Sequence, residues 1–362
     1  MTIDLGALAG NWRALAALAP AAATGAAVKA DGYGLGAVPV ARALYGAGCR
    51  HFFVAHLSEA LSLRPHLAAD ATVFVLHGIA PGTAGEFIAH GITPVLSSLR
   101  DIEAWASAAR AAGRTLHAAL QVDSGMNRMG LSTAEVDALV AAPERLAGID
   151  LTVGMSHLAC ADTPEHPLNA EQRRRFIAVT GRIEALAGAR LALANSAGIL
   201  LGPDFHFALT RPGIALYGAN PTPSRPSPVA PVIRLESDIL QVREIDRPEV
   251  VGYGAAHEVT GPTRVATVAV GYADGYLRAA GNRGKVRVAG RLVPILGRVS
   301  MDLMTIDVTD IPPALSAPGM PVVLVGDGLA IEDVAQAMGT VPYEFLTRLG
   351  ARFARTYLGG ES

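Results

Sequence analysis

Only two lysines, Lys29 and Lys285, occur among the 30 basic residues of this 362-residue chain; every other one is arginine. Chemistry that needs a primary amine therefore has two candidates. Lys29 lies in the apolar run Ala26–Ala30 and is followed by Asp31-Gly-Tyr-Gly-Leu-Gly36. A lysine at the end of an apolar strand is costly unless it is paired, deprotonated or covalently modified. A Schiff base with an aldehyde cofactor removes that cost and uses the amine as a nucleophile. A snorkelling or salt-bridged lysine is the plainer reading of the same position. Lys285, set between Gly284 and Val286 with Arg283 and Arg287 nearby, reads as a solvated turn residue.

Other polar residues follow apolar runs in the same way. They are Asp123 to Arg128, His157, Asn195 with Ser196, and Arg211 followed by Gly213 and Ile214. Taken singly they are weak signals, since a lone histidine is usually a satisfied core residue and a glycine after a strand usually makes a turn. Taken together they put a lysine, two arginines, a histidine and a serine at the ends of successive strands. The hydroxyl of Ser196 and the backbone N–H groups around Gly213 have the character of a phosphate cradle.

The elements that must position these residues alternate. Candidate strands run over 26–30, 51–55, 72–77, 93–97, 116–123, 151–157, 191–195 and 207–211, with amphipathic helical stretches such as 99–112 and 170–187 between them. Eight alternations predict a (β/α)8 TIM barrel, whose strands are apolar on both faces and whose chemistry sits at the strand C-termini. A doubly wound open sheet is the alternative. Pro221, Pro223, Pro226, Pro228 and Pro231 then mark a linker. Beyond it 232–245, 263–270, 285–296, 303–308 and 321–326 read as strands joined by Gly-rich turns, and 331–338 and 343–357 as helices. The division expected is an α/β barrel over residues 1–222 and a mainly β domain over 223–362.

Composition narrows the function classes. The net charge of -2 gives no reason to expect nucleic acid or an anionic membrane as partner. No apolar run reaches the length of a spanning helix. The Ala-rich start carries Asp4 and no basic residue before Arg13, unlike a signal peptide. A cytoplasmic protein is expected, with Cys49 and Cys160 as reduced thiols, and with no metal.

The ordered motifs then resemble a known family. Val28-Lys-Ala-Asp-Gly-Tyr-Gly-Leu-Gly36, Val122-Asp-Ser-Gly-Met-Asn-Arg-Met-Gly130, Ser156-His-Leu-Ala, Ala194-Asn-Ser-Ala and Arg211-Pro-Gly-Ile-Ala-Leu-Tyr-Gly218 are similar to motifs of the alanine racemases. So are Gly252-Tyr-Gly254, Gly271-Tyr-Ala-Asp-Gly275 and Val299-Ser-Met-Asp302, and all occur in family order across nearly the whole chain. The resemblance implies a homodimer with shared active sites and pyridoxal 5'-phosphate (PLP) joined to Lys29. It implies that Tyr33, Ser196, Gly213 and Ile214 hold the phosphate, with Asn195 beside them. Arg211 would face the pyridine nitrogen with His157 behind it, and Arg128 would approach the ring's phenolic oxygen and the substrate carboxylate. Tyr253 would enter from the partner subunit as the second base and the Met301 backbone as a carboxylate contact, while Tyr272 and Asp302 would line or support the entrance.

Racemisation needs proton removal on one face of Cα and return on the other, which an amine and a phenol can supply if neighbouring positive charge lowers their pKa values. Two positions depart from the family pattern. Gln121 stands where many members have a lysine that becomes carbamylated, so a neutral amide is expected to orient Arg128. Ala351 aligns, without gaps, to a tyrosine that contacts phosphate and limits the pocket. The expected activity is interconversion of L- and D-alanine, supplying D-alanine as a peptidoglycan precursor. A broad-specificity or serine racemase and a PLP-dependent amino acid decarboxylase are the alternatives on the same architecture.

Overall fold

The computed structural model describes residues 1–359; the last three residues of the expected second domain, 360–362, lie outside the described residues. Seven parallel strands form one sheet in chain order: Ala26–Ala27, His51–Val54, Thr72–Val75, Thr93–Leu96, Leu116–Gln121, Ile149–Met155 and Arg190–Ala192. An eighth short strand, Leu209–Thr210, pairs in parallel with Ala23–Thr24, just upstream of the first. Hydrogen bonds from Ala208 N–H to Leu191 C=O (3.0 Å) and from Arg211 N–H to Ala194 C=O (2.9 Å) join it to the seventh strand. The sheet thus closes into a (β/α)8 barrel. Its first strand is interrupted at Gly25, where a Cβ would strike the backbone of His51 and the ring of Phe53.

Strand side chains alternate between two cores, as the pleat requires. Phe53, Phe74, Val95, Ala119, Val153, Met155, Ala192 and Leu209 fill the barrel interior, with the rings of Phe53 and Phe74 stacked 4.7 Å apart. Their neighbours Phe52, Val73, Leu96 and Leu120 face outward under the helices. The helix Leu99–Ala112 shows how the sequence sets such an element. Ser98 caps it by accepting from Asp101 N–H at 3.1 Å, left-handed Gly113 ends it, and Ile102, Trp105, Ala106 and Ala109 form its buried stripe.

The second domain is an antiparallel sheet built on the strand Ile233–Ile245. A register break between Ile239 and Gln241 bends this strand, so its first half pairs with Pro321–Val325 and its second with Thr263–Val268. Through Met304–Asp307, Arg291–Leu296 and Lys285–Val288 the sheet returns to the same strand and closes on itself. The helix expected over 170–187 ends at Thr180, and the strand expected over 285–296 divides into Lys285–Val288 and Arg291–Leu296; three further features differ from the sequence expectation. Thr2–Asp4 is a strand, and it belongs to this second sheet, antiparallel to Ile233–Arg234 and parallel to Thr356–Leu358. The helix expected over 343–357 ends at Arg348, where Leu349 turns extended, and the chain closes as that edge strand. A hairpin of Glu249–Val251 and His257–Val259, not anticipated, carries Tyr253 at its turn.

The Pro-rich segment has no regular structure but is not a free tether. Thr222 is fully buried, and Asn11 on the first helix bonds the backbone N–H and C=O of Ala230 at 2.8 and 2.9 Å. Among the described residues no helix is long and apolar enough to cross a membrane, and both cysteines are free thiols.

Candidate active site

The barrel mouth holds a cavity of about 680 Å³, and the residues singled out from the strand ends meet there. Lys29, Tyr33, Arg128, His157, Asn195, Ser196, Arg211, Gly213 and Ile214 all line it, over a floor that includes Phe53.

Lys29 leads an unusual turn. Ala30, Asp31, Gly32 and Tyr33 are all left-handed, with φ between 53° and 61°. For residues with a side chain that conformation costs about 1–2 kcal/mol each, so surrounding bonds must hold it. Gly32 N–H donates to Val28 C=O at 2.9 Å, Gly34 N–H to Ala30 C=O at 2.8 Å, and Ala37 N–H to Asp31 Oδ1 at 2.8 Å. Ala30 N–H donates to Glu59 Oε1 at 2.6 Å. The reversal faces Lys29 into the mouth and turns Tyr33 beneath it. There the Tyr33 ring stacks on Tyr217 at 4.4 Å, and Tyr217 in turn donates to Ala27 C=O at 2.9 Å.

Ser196 Oγ accepts from Gly213 N–H at 2.8 Å and Ala215 N–H at 3.3 Å. Asn195 caps the short helix that Ser196 begins, accepting from Gly198 N–H at 2.8 Å. A Cβ at residue 213 would collide with the Tyr33 hydroxyl. Two hydroxyls and a bare stretch of backbone therefore converge at one end of the cavity.

Arg211 follows the eighth strand and is buried. It donates through Nη2 to the Ser156 carbonyl, its guanidinium lies 5.8 Å from the centre of the Phe53 ring, and its Nε has no partner. Burial brings its pKa down to about 10, and among the described residues no carboxylate pairs with it. A buried cation with an unused donor, on a side chain that lines the cavity, leaves hydrogen-bonding capacity the protein itself does not fill. Burial foremost, then the charges of Arg211, Arg128 and Lys29, drives His157 down to about 3, so its imidazole is neutral at physiological pH. Burial and then Arg128 lower the Lys29 amine below its ordinary value; Glu59 opposes the shift and Arg211 adds to it.

Arg128 rides on a loop organised by Asp123, whose Oδ1 accepts from Gly125, Met126 and Asn127 N–H at 2.9 to 3.1 Å. Gln121 does not bond Arg128 directly, contrary to expectation. Its amide donates to the Met129 carbonyl at 3.3 Å and so steadies the loop through the backbone of the next residue. Ala351 is exposed and does not line the cavity; the residues that this part of the chain contributes are Val341, Tyr343, Glu344 and Thr347. His77 also lines the cavity and was missed, although the rule that selected the other strand ends selects it too.

Tyr253 and Met301 stand elsewhere, 73% and 53% exposed, on the second domain. Tyr253 borders a separate groove of about 330 Å³ with Arg298, Ser300 and Leu303. Tyr272 joins the same region, its N–H donating to Ser300 C=O at 3.0 Å. Asp302 is held by Arg352 Nη1 at 2.8 Å. Within one chain, then, the amine and the phenol are not brought into one cavity.

The set can do specific chemistry. An amine with a lowered pKa attacks carbonyl carbon; hydroxyls and backbone beside three cationic side chains suit a phosphate and a carboxylate; an unpaired guanidinium Nε suits a ring nitrogen. These features fit PLP.

Residues 3–221 match the family model described as alanine racemase, N-terminal domain, and residues 232–357 that of the C-terminal domain. An alanine racemase of Rhodospirillum rubrum is 51% identical over 99% of this chain and 96% of its own length. A catabolic alanine racemase of Agrobacterium fabrum is 47% identical over 99% and 92%. The crystal structure of the Bartonella henselae alanine racemase, with covalently bound pyridoxal phosphate, is similar at a TM-score of 0.94 and 38% identity, covering 99% of this chain and 98% of that one.

Proposed function

The chain belongs to the alanine racemase family, and on that premise we propose that it interconverts L- and D-alanine at the barrel mouth, with PLP carried by Lys29. It is an isomerase, like its named relatives. The observation that carries the reading is the Lys29 amine, lowered in pKa, at a cavity shared with the unpaired Nε of Arg211 and the Ser196–Gly213–Tyr33 cradle.

When bound, PLP supplies an electron sink for the pair left at Cα as its proton departs. Tyr33, Ser196, Gly213 and Ile214 are assigned to its phosphate, with Asn195 holding Ser196 in place. Arg211 is assigned to the pyridine nitrogen; still charged at neutral pH with its pKa lowered to about 10, it would donate a hydrogen bond and keep its proton. His157, neutral, packs behind that arginine, and Arg128 serves the ring's phenolic oxygen and the substrate carboxylate, together with the Met301 backbone. The Lys29 amine would take or return a proton on one face of Cα. The phenol of Tyr253 serves the other face.

The Tyr253 assignment requires a homodimer in which each chain lends the partner Tyr253 and Met301. The grouping of Tyr253, Tyr272 and the exposed Met301 on one face of the second domain supports it. In this reading the barrel, within residues 1–222, holds the cofactor, and 223–362 supplies the opposite wall. A cytoplasmic location fits the two free thiols. Supply of D-alanine for peptidoglycan is the biosynthetic role proposed.

The experiment is a chiral assay of purified, PLP-supplemented protein against a panel of L-amino acids. D-Alanine should be the principal product. Release of carbon dioxide without inversion would favour a decarboxylase, and D-serine in excess of D-alanine would reassign the substrate.

A further inference from the structure

Glu59 lies outside every motif described above and is the third residue of the helix Leu57–Leu63. A glutamate there commonly accepts from the N-cap N–H, and Oε2 does so, bonding Ala55 and His56 N–H at 2.7 and 3.0 Å. Helix capping leaves Oε1 without a task. That oxygen reaches the preceding rim loop and accepts from Ala30 N–H at 2.6 Å, one residue past Lys29.

Resting on the racemase reading, we propose that Glu59 is the positioning residue for Lys29: its carboxylate clamps the head of the left-handed turn to the neighbouring strand's loop and so fixes where the amine points. Three observations support this. The turn is strained at Ala30, Asp31 and Tyr33, and strained turns persist only where the surroundings over-determine them. A bond from backbone N–H to a carboxylate is about twice as strong as a neutral one. Glu59 also supplies the negative charge among those acting on Lys29, against Arg128 and Arg211. The other titratable groups beside it are His56, whose own N–H it accepts, and His77, whose ring meets that of His56 at 4.5 Å.

Glu59→Gln keeps size but gives up the charge and one acceptor oxygen. In PLP-saturated full-length protein we expect kcat to fall in both directions by on the order of tenfold to a hundredfold, as for a misplaced reacting group, with KM for alanine little changed. Two readouts do not depend on turnover. Amide exchange over residues 29–34 should accelerate. In cofactor-free protein the pH at which an amine reagent half-labels Lys29, resolved from Lys285 by peptide mass, should move down, because the charge that favoured the ammonium is gone. Wild-type kcat, exchange and labelling midpoint, with only a lower melting temperature, would make Glu59 a plain helix cap and overturn the proposal. Should Glu59→Gln not fold, Glu59→Asp keeps the charge and shortens the reach. Its labelling midpoint should stay near wild type while kcat and exchange change, and wild-type values of both would overturn the proposal. Failure of the wild type to take PLP at Lys29 would count against the racemase reading, while exchange and labelling would still decide the role of Glu59.

Discussion

Gly213 and Tyr33 press together so closely that the phenol oxygen fills the space where any side chain on residue 213 would begin. Two loops far apart in sequence thereby form one wall, and Ser196 fastens it by accepting from the N–H of Gly213.

Adding a methyl at this contact should displace Tyr33 from the cradle and leave the barrel intact. Gly213→Ala is expected to weaken PLP affinity by about tenfold or more, on the order of 1.4 kcal/mol. Titration of cofactor-free protein would measure it, and unchanged affinity would remove this wall from the phosphate site.

Lys29 and Tyr253 should fail differently. Lys29→Ala is expected to lose the borohydride-reducible visible band of lysine-bound PLP, whereas Tyr253→Phe should keep it and lose proton transfer on one face. Mixing the two inactive proteins should restore up to about a quarter of wild-type activity, since half of randomly paired dimers carry one intact site. Absence of any recovery after verified subunit exchange would place both groups in one chain.

Arg211 stays charged even with its pKa lowered to about 10. Its inability to hand over a proton should hold the cofactor to a weaker electron sink and suppress transamination. Arg211→Glu should raise pyruvate formation relative to racemisation by about tenfold, a shift of about 1.4 kcal/mol between the two barriers. A ratio that stays flat would assign Arg211 to binding alone.

His157 ties stability to pH. Its folded pKa of about 3 lies below the ordinary 6.5, so the unfolded chain binds more protons between those values. Stability from this group is complete above pH 6.5 and is lost as pH falls toward 3, by up to about 1.4 kcal/mol per pH unit. Urea unfolding at pH 7, 5.5 and 4.5 should show a shallower loss for His157→Gln than for wild type. Equal slopes would mean that the imidazole is not held neutral.

Much of this was legible in the chain itself. The barrel strands start close to their expected places, and 99–112 forms the expected helix, because apolar period and capping residues are local properties. Strand ends located the cavity residues for the same reason: a polar group after a two-sided apolar strand has only the rim to occupy. His77 obeys that rule and was passed over. Glu59 carried no signal of its own, since a glutamate near a helix start is ordinary.

Sequence alone therefore indicated which residue types stand at the mouth, and Lys29 is among the residues that line it. Tertiary structure decided what no local pattern encodes. It set the left-handed turn that faces Lys29 into the barrel, the return of residues 2–4 and 356–358 to the second sheet, and the placing of Tyr343 rather than Ala351 at the cavity. It also left Tyr253 exposed on a different domain from Lys29. Each of these depends on contacts between segments tens to hundreds of residues apart, where packing and long-range hydrogen bonds outweigh the preference of any single stretch.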